Sequence, residues 1–207
     1  MRRVAFLLMA MALALVLASV VALAVTKIGT NAPDTLSGTN GSDTLVGKGG
    51  DDTLFSRAGD DTLLGGAGKD RLVGGEKVGE AYRTQGGEKT LLGGDGNDNI
   101  IGGRGADTIV GGEGNDLLAT GDLITETADN KVFGGDGTDV INALSDPAAK
   151  DVIYCGDGRD VVIVNRRDVV AADCEKVFVG LGSIDAWFRA IPEGFFEVLP
   201  PFFVFPD

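Results

Sequence analysis

The feature that most constrains the fold of this chain is a nine-residue period. Four copies follow one another without a gap: GTNGSDTLV from Gly38, GKGGDDTLF from Gly47, SRAGDDTLL from Ser56 and GGAGKDRLV from Gly65. A second block contains GGDGNDNII from Gly93, GGRGADTIV from Gly102 and GGEGNDLLA from Gly111, and GGDGTDVIN follows from Gly134. A degenerate copy, GTNAPDTLS, begins the array at Gly29. The period predicts a stack of short repeating units, each in contact with its neighbours.

Two positions of the unit are nearly invariant. The sixth residue is aspartate, including one in the decayed copy CGDGRDVVI, at Asp34, Asp43, Asp52, Asp61, Asp70, Asp98, Asp107, Asp116, Asp139 and Asp160. The eighth residue is apolar, at Leu36, Leu45, Leu54, Leu63, Leu72, Ile100, Ile109 and Leu118 among others. The glycine-rich first six residues predict a turn, and the last three predict a short strand whose eighth residue faces a thin core.

The composition indicates that such a fold needs more than apolar burial. Glycine accounts for 33 of 207 residues, and it loses much conformational freedom on folding without adding apolar surface. The net charge is −13, which disfavours nucleic acid as a partner and favours bound cations, because clustered carboxylates otherwise repel one another. The chain has no histidine, which excludes Ser/His/Asp and Cys/His catalysis and HExxH zinc sites.

The repeats GGxGxDxUx, with U an apolar residue, resemble the hemolysin-type (RTX) calcium-binding repeat family from about Gly29 to Ile163. The resemblance implies an all-β fold, a right-handed parallel β-roll in which two nonapeptides complete one coil and several Ca²⁺ ions lie between coils. The ten sixth-position aspartates are then metal ligands, paired across eighteen residues. The implied pairs are Asp34 with Asp52, Asp43 with Asp61, Asp52 with Asp70, and Asp98 with Asp116. The family's toxin and protease effector domains have no counterpart in this sequence.

Two interruptions break the period, near residues 76–90 and 120–131, and we expect both to leave the roll as surface loops. In TQGGEKTLL, from Thr84, Lys89 occupies the sixth position. A lysine cannot ligate calcium, so we expect no ion there, and its ammonium group is a candidate electrostatic replacement for one. In TADNKVF, Asn130 occupies the sixth position and offers an amide oxygen.

The N-terminal segment predicts export. Arg2 and Arg3 precede an apolar run from Val4 to Val25, which is typical of a signal peptide over residues 1–24, cleaved after Ala24. An uncleaved membrane anchor is the alternative, and in both interpretations the repeats face the outside of the cell. Cleavage would remove two positive charges and lower the net charge from −13 to −15.

The C-terminal end loses the repeat pattern. Cys155 and Cys174 are nineteen residues apart. If a coil contains eighteen residues, they lie about one sheet rung apart, which predicts a disulfide in an exported protein. From residue 179 to 207 the chain is rich in aromatic residues, including Trp187. We expect an aromatic cap on the roll, with a short helix near Ile184 to Ala190; the alternative is a docking tail for a cell surface, glycan or protein partner.

These features predict three domains and one principal function. Residues 1–24 form the signal peptide, 25–178 the calcium-binding β-roll, and 179–207 the cap or tail. The principal hypothesis is a secreted, non-enzymatic protein that folds on binding extracellular calcium. The alternatives are an adhesin or matrix component acting through the tail, and a calcium-dependent polysaccharide-acting enzyme using Arg83, Lys89 or Arg104.

Overall fold

A computed structural model describes residues 23–78, 81–84, 86–121, 128–144 and 149–180 of the chain. The predicted signal segment up to residue 22 and the predicted aromatic cap from residue 181, with its helix near Ile184, lie outside these residues. The described residues contain no helix long and apolar enough to cross a bilayer.

The described residues form β-strands connected by turns and contain no helix. The strands are β1 (Thr26–Ile28), β2 (Thr35–Ser37), β3 (Thr44–Gly49), β4 (Thr53–Phe55), β5 (Asp61–Ala67), β6 (Arg71–Val73), β7 (Gly75–Val78), β8 (Ala81–Thr84), β9 (Lys89–Asp95), β10 (Asn99–Ile101), β11 (Thr108–Glu113), β12 (Leu117–Ala119), β13 (Lys131–Gly137), β14 (Val140–Ala143), β15 (Val152–Gly158), β16 (Val161–Val164), β17 (Val169–Val170) and β18 (Lys176–Val179).

Successive strands of the repeats alternate between two parallel sheets of eight strands each. The first sheet has the order β1-β3-β5-β9-β11-β13-β15-β17, and the second has the order β2-β4-β6-β10-β12-β14-β16-β18. The registers place each residue opposite its equivalent one coil later, for example Leu45 opposite Leu63 and Leu54 opposite Leu72. This arrangement confirms the predicted parallel β-roll and its two nonapeptides per coil.

The core is one row of side chains from each sheet. Leu45 and Leu63 of the first sheet and Leu54 and Leu72 of the second are fully buried, as the eighth position of the repeat predicts. Leu36, in the degenerate copy that begins the array, is partly buried. The row is thin because each strand contributes one inward residue, which limits the apolar area that the roll removes from water.

The ninth position departs from simple alternation in the second sheet. Phe55, Val73 and Ile101 are 7%, 0% and 8% exposed, although the alternation predicts that they face away from the core. Each of them is the last residue of a three-residue strand. The chain turns directly after these residues, so the alternation of an extended strand no longer sets the direction of their side chains.

Glycine is required where coils lie closest together. Gly94 has a φ of 120°, and a Cβ atom added to it would collide with the carbonyl oxygen of Gly66 in the preceding coil. Both the left-handed backbone and the close stacking therefore exclude a side chain at this position.

The first interruption contains a hairpin rather than an irregular loop. Strands β7 and β8 pair antiparallel in a separate two-stranded sheet, with Gly75 opposite Thr84. The roll then resumes in register, since β9 pairs with β5 and Lys89 stands opposite Asp61. Ten inserted residues thus leave the stack without shifting it, because Asp70 and Asp98 occupy equivalent positions 28 residues apart where 18 is the normal spacing.

A disulfide joins the last coils. Cys155 of β15 is bonded to Cys174, and their Cα atoms are 5.2 Å apart. Cys155 is fully buried in the apolar row, and Cys174 packs against that row. The bond connects a strand of the first sheet to the segment that precedes β18, the final strand of the second sheet.

The thin core predicts a large effect for each of its members. Leu91→Ala, in β9, should lower the free energy of unfolding by about 2–5 kcal/mol, because it leaves a cavity that short neighbouring strands cannot fill. Thr90→Ala, on the exposed face of the same strand, is the matched control and should change it by less than about 0.5 kcal/mol. Denaturant unfolding in saturating calcium measures both; equal effects would contradict the assignment of the core.

Candidate metal centre

The sixth-position side chains form two columns along the roll, one beside each sheet. The first column contains Asp43, Asp61, Lys89, Asp107, Asn130, Asp151 and Asp168. The second contains Asp34, Asp52, Asp70, Asp98, Asp116, Asp139, Asp160 and Glu175. All four aspartate pairs implied by the eighteen-residue coil are therefore adjacent in the structure.

One oxygen of each carboxylate accepts a hydrogen bond from a backbone N–H of the preceding coil. The backbone N–H of Asp43 donates to Oδ1 of Asp61 at 2.9 Å, and the N–H of Asp98 donates to Oδ1 of Asp116 at 2.8 Å. The same bond recurs across the insertions, as between Asp70 and Asp98. Because the turn backbone is glycine-rich and open, the carboxylate supplies an acceptor for an amide that would otherwise lack one.

The other oxygen of six second-column carboxylates is buried without a hydrogen bond within the described part of the chain. These atoms are Oδ2 of Asp52, Asp70, Asp98, Asp116, Asp139 and Asp160. Their residues are at most 2% exposed. A buried, unpaired carboxylate oxygen is costly, and a repeated series of them favours a bound cation that neutralises the charge.

The donor set fits calcium. Beside Asp98, the Cβ position of Gly93 would collide with Oδ2 of Asp98 and would lie 2.5 Å from the carbonyl oxygen of Gly111 in the next coil. A carboxylate oxygen and a carbonyl oxygen therefore converge where glycine leaves space. No cluster of three or more acidic, cysteine or histidine side chains occurs in the described residues. Calcium, which takes six to eight oxygen ligands including backbone carbonyls, suits sites assembled from carboxylates of adjoining coils together with turn carbonyls.

Burial controls the charge of these carboxylates in the absence of metal. Desolvation raises the pKa of Asp98 and Asp139 to about 6 and that of Asp116 to about 7. Hydrogen bonds from the preceding coil oppose the rise, and neighbouring carboxylates add to it, as Asp139 and Asp98 do for Asp116. Desolvation also raises the pKa of Asp70 and Asp160. A cation between the coils favours the ionised form and reverses this effect.

The N-terminal end of the columns differs from the middle. Oδ2 of Asp34 accepts hydrogen bonds from the backbone N–H of Thr30 at 2.6 Å and from its hydroxyl at 2.9 Å. Oδ2 of Asp43 accepts bonds from the N–H and the hydroxyl of Thr39. The second-position threonines thus satisfy these two carboxylates inside their own turns, in contrast to the carboxylates further along.

Sequence reasoning missed three acidic members of the columns. Asp151 accepts a bond from the N–H of Asn130, Asp168 accepts one from Asp151, and Glu175 accepts one from Asp160. The in-phase segment DPAAKDVIY places Asp151 at its sixth position, which is the signal that identifies it. Asn130 takes its column position as predicted, with Oδ1 2.8 Å from the N–H of Asp107.

Of the residues suggested for an enzymatic alternative, the structure describes the side chains of Lys89 and Arg104. Lys89 is 1% exposed and its ammonium group is bound by backbone carbonyls, so it is inaccessible to a polysaccharide. Arg104 is exposed on a turn, and the side chain of Arg83 lies outside what the structure describes. Lys89 as a catalytic residue is therefore wrong, because burial removes it from any substrate.

The raised pKa values predict that acid stabilises the metal-free roll. Asp98, Asp116 and Asp139 have a folded pKa near 6 to 7, above the unfolded value near 4, so the folded state binds more protons in this interval. In EDTA, stability should rise as the pH falls from about 7.5 to 4.5. Asp116→Asn should flatten this dependence, and circular dichroism across the pH range measures it. A metal-free protein that gains no β structure on mild acidification would contradict the assignment.

The comparisons with known proteins agree with this geometry. The family model of the RTX calcium-binding nonapeptide repeat matches four times, over residues 28–63, 46–76, 92–123 and 122–146. Together these matches span about half of the chain and include most of the two columns. No curated protein matches the sequence. The repeats bind Ca²⁺, and the chain belongs to the RTX calcium-binding nonapeptide repeat family.

Proposed function

We propose that this protein is an exported, non-enzymatic module that folds into its β-roll when its columns bind extracellular calcium. The observation that carries the proposal is the series of buried Oδ2 atoms in the second column, which lack hydrogen-bond partners in the described residues. The ligands are the ten sixth-position aspartates, and Asp151 and Asp168 are added to them by their column positions.

The energetics favour binding coupled to folding. The metal-free roll would place ionisable carboxylates of adjacent coils close together inside the protein, where burial penalises their charge. A ligand at 100 times its Kd stabilises the folded state by about 2.7 kcal/mol per site. Several such sites offset the entropy cost of the glycine-rich turns, which the thin apolar row does not offset alone.

Extracellular calcium is the cation supply that this proposal requires. The N-terminal segment over residues 1–24 supports export, and the disulfide between Cys155 and Cys174 supports an oxidising compartment. In this proposal residues 25–178 form the roll. The aromatic segment over residues 179–207 covers its C-terminal end, since a solenoid needs a cap there.

A calcium titration tests the proposal. In EDTA the protein from residue 25 onward should show little β signal in far-UV circular dichroism. Added calcium should produce a cooperative transition to β structure between about 0.1 and 1 mM, the range of extracellular calcium modules. Magnesium should not reproduce it, because it demands stricter octahedral geometry. A protein that is fully folded in EDTA and unaffected by calcium would overturn the proposal.

A pair of variants in one turn makes the titration specific to the column. Asp98→Asn should shift the midpoint to higher calcium, because it removes a charge whose Oδ2 atom is buried. Asp95→Asn removes the same charge from an exposed residue of the same turn and is the matched control. Equal shifts for the two variants would show that general charge, rather than the column, sets the affinity.

A further inference from the structure

Lys89 interrupts the first column without interrupting the roll. Its backbone N–H donates to Oδ1 of Asp107 at 2.8 Å, the bond that a sixth-position aspartate makes elsewhere. Toward the preceding coil the series of hydrogen bonds changes, because lysine has no carboxylate to accept the N–H of Asp61. The N–H of Asp61 donates instead to the carbonyl oxygen of Glu88 at 3.1 Å.

The ammonium group of Lys89 is buried and fully bound. It donates to the carbonyl oxygens of Gly59 at 2.6 Å, Gly86 at 3.2 Å and Gly87 at 3.3 Å, which accounts for its three hydrogens. Oδ2 of Asp61 lies 3.5 Å from Nζ, and both side chains are 0% exposed. A buried ammonium requires this combination of hydrogen bonds and an opposite charge.

The oxygens around Nζ are of the kind that the metal-binding turns present. Gly59 and Gly87 are the fourth residues of their units, and the Gly59 carbonyl points at Gly87 in the next coil. In the second column the carbonyl of Gly50 points at Gly68 in the same manner. Asp61 contributes Oδ2, the same atom that lacks a hydrogen bond in Asp98 and Asp116.

We infer that the ammonium of Lys89 is a built-in replacement for a calcium ion in the first column. The inference rests on the proposed calcium-binding role of the columns. Opposite charges meet in both cases: carboxylates of adjoining coils face Ca²⁺ where the sixth residue is aspartate, and the carboxylate of Asp61 faces the ammonium of Lys89. The substitution of lysine for aspartate therefore removes one ligand and supplies one cation at the same point of the stack.

This replacement gives the roll a rung that does not depend on calcium. It lies directly after the hairpin of β7 and β8, where the chain re-enters the stack. It also divides the first column into a short run before Lys89, with Asp43 and Asp61, and a longer run from Asp107 to Asp168. The second column continues past this level without a change of residue type, through Asp70 and Asp98.

The direct test is to restore the aspartate. In saturating calcium, native mass spectrometry of Lys89→Asp should show at least one more bound ion than the wild-type protein, because a carboxylate at this position would face Asp61 on one side and Asp107 on the other. Lys131→Asp changes the net charge equally at an exposed position of β13 and should add no ion. A folded Lys89→Asp protein that binds the same number of ions as the wild type would overturn the inference. A wild-type protein that binds no calcium would instead overturn the proposed function.

A second measurement uses the wild-type fold and does not require the aspartate variant to fold. The amides of Lys89 and Asp98 both donate to a carboxylate Oδ1 at 2.8 Å, in the first and second columns respectively. As calcium is lowered within the range that still keeps the roll folded, exchange of the Asp98 amide should accelerate at least about tenfold more than that of the Lys89 amide, because the adjoining contact between Lys89 and Asp61 retains a cation that does not depend on calcium. Lys89→Met, which keeps the apolar stem, should abolish the difference. Equal acceleration of the two amides in the wild type would contradict the role of the ammonium.

Discussion

The roll depends on the sixth-position aspartate, whose two carboxylate oxygens have different roles. In each coil the sixth-position aspartate gives Oδ1 to the backbone N–H of the preceding coil and keeps Oδ2 inside the turn, as in Asp98 and Asp116. The first oxygen fixes the spacing of the coils. The second is buried where a bound cation favours its ionised form, so stacking and calcium binding are two consequences of one side chain.

The apolar core and the columns contribute unequally to the stability of the roll along the chain. Strands of the first sheet add few buried apolar side chains, such as Leu63 or Ile109, which is little for a chain so rich in glycine. At the N-terminal end, threonines satisfy the carboxylates of Asp34 and Asp43. At the C-terminal end, where the second column finishes in Glu175, a disulfide joins the last coils. Hydrogen bonds within single turns are thus found at one end of the columns, and a disulfide is found at the other.

The repeat period predicted stacked short strands with inward leucines, and the family resemblance implied the roll and its aspartate pairs, because all of these depend on positions that recur every nine residues. The expected spacing of eighteen residues failed where the coil length varies. The first column joins Asn130 to Asp151 over 21 residues and Asp151 to Asp168 over 17, so a fixed spacing of 18 does not find the later partners. The burial of Phe55 and Val73 follows from the turn after each short strand, which strand alternation does not describe. The contacts of Lys89 depend on carbonyls of two coils, which no single repeat contains.

The most direct measurement is the location of calcium in crystals grown with it, by anomalous diffraction. The account predicts anomalous peaks beside Oδ2 of Asp98, Asp116 and Asp139, between successive coils of the second column. It also predicts no peak between Asp61 and Lys89, where the ammonium already lies. Calcium bound elsewhere on the surface, with these buried oxygens left without a cation, would contradict the claim that the carboxylate columns are the metal sites.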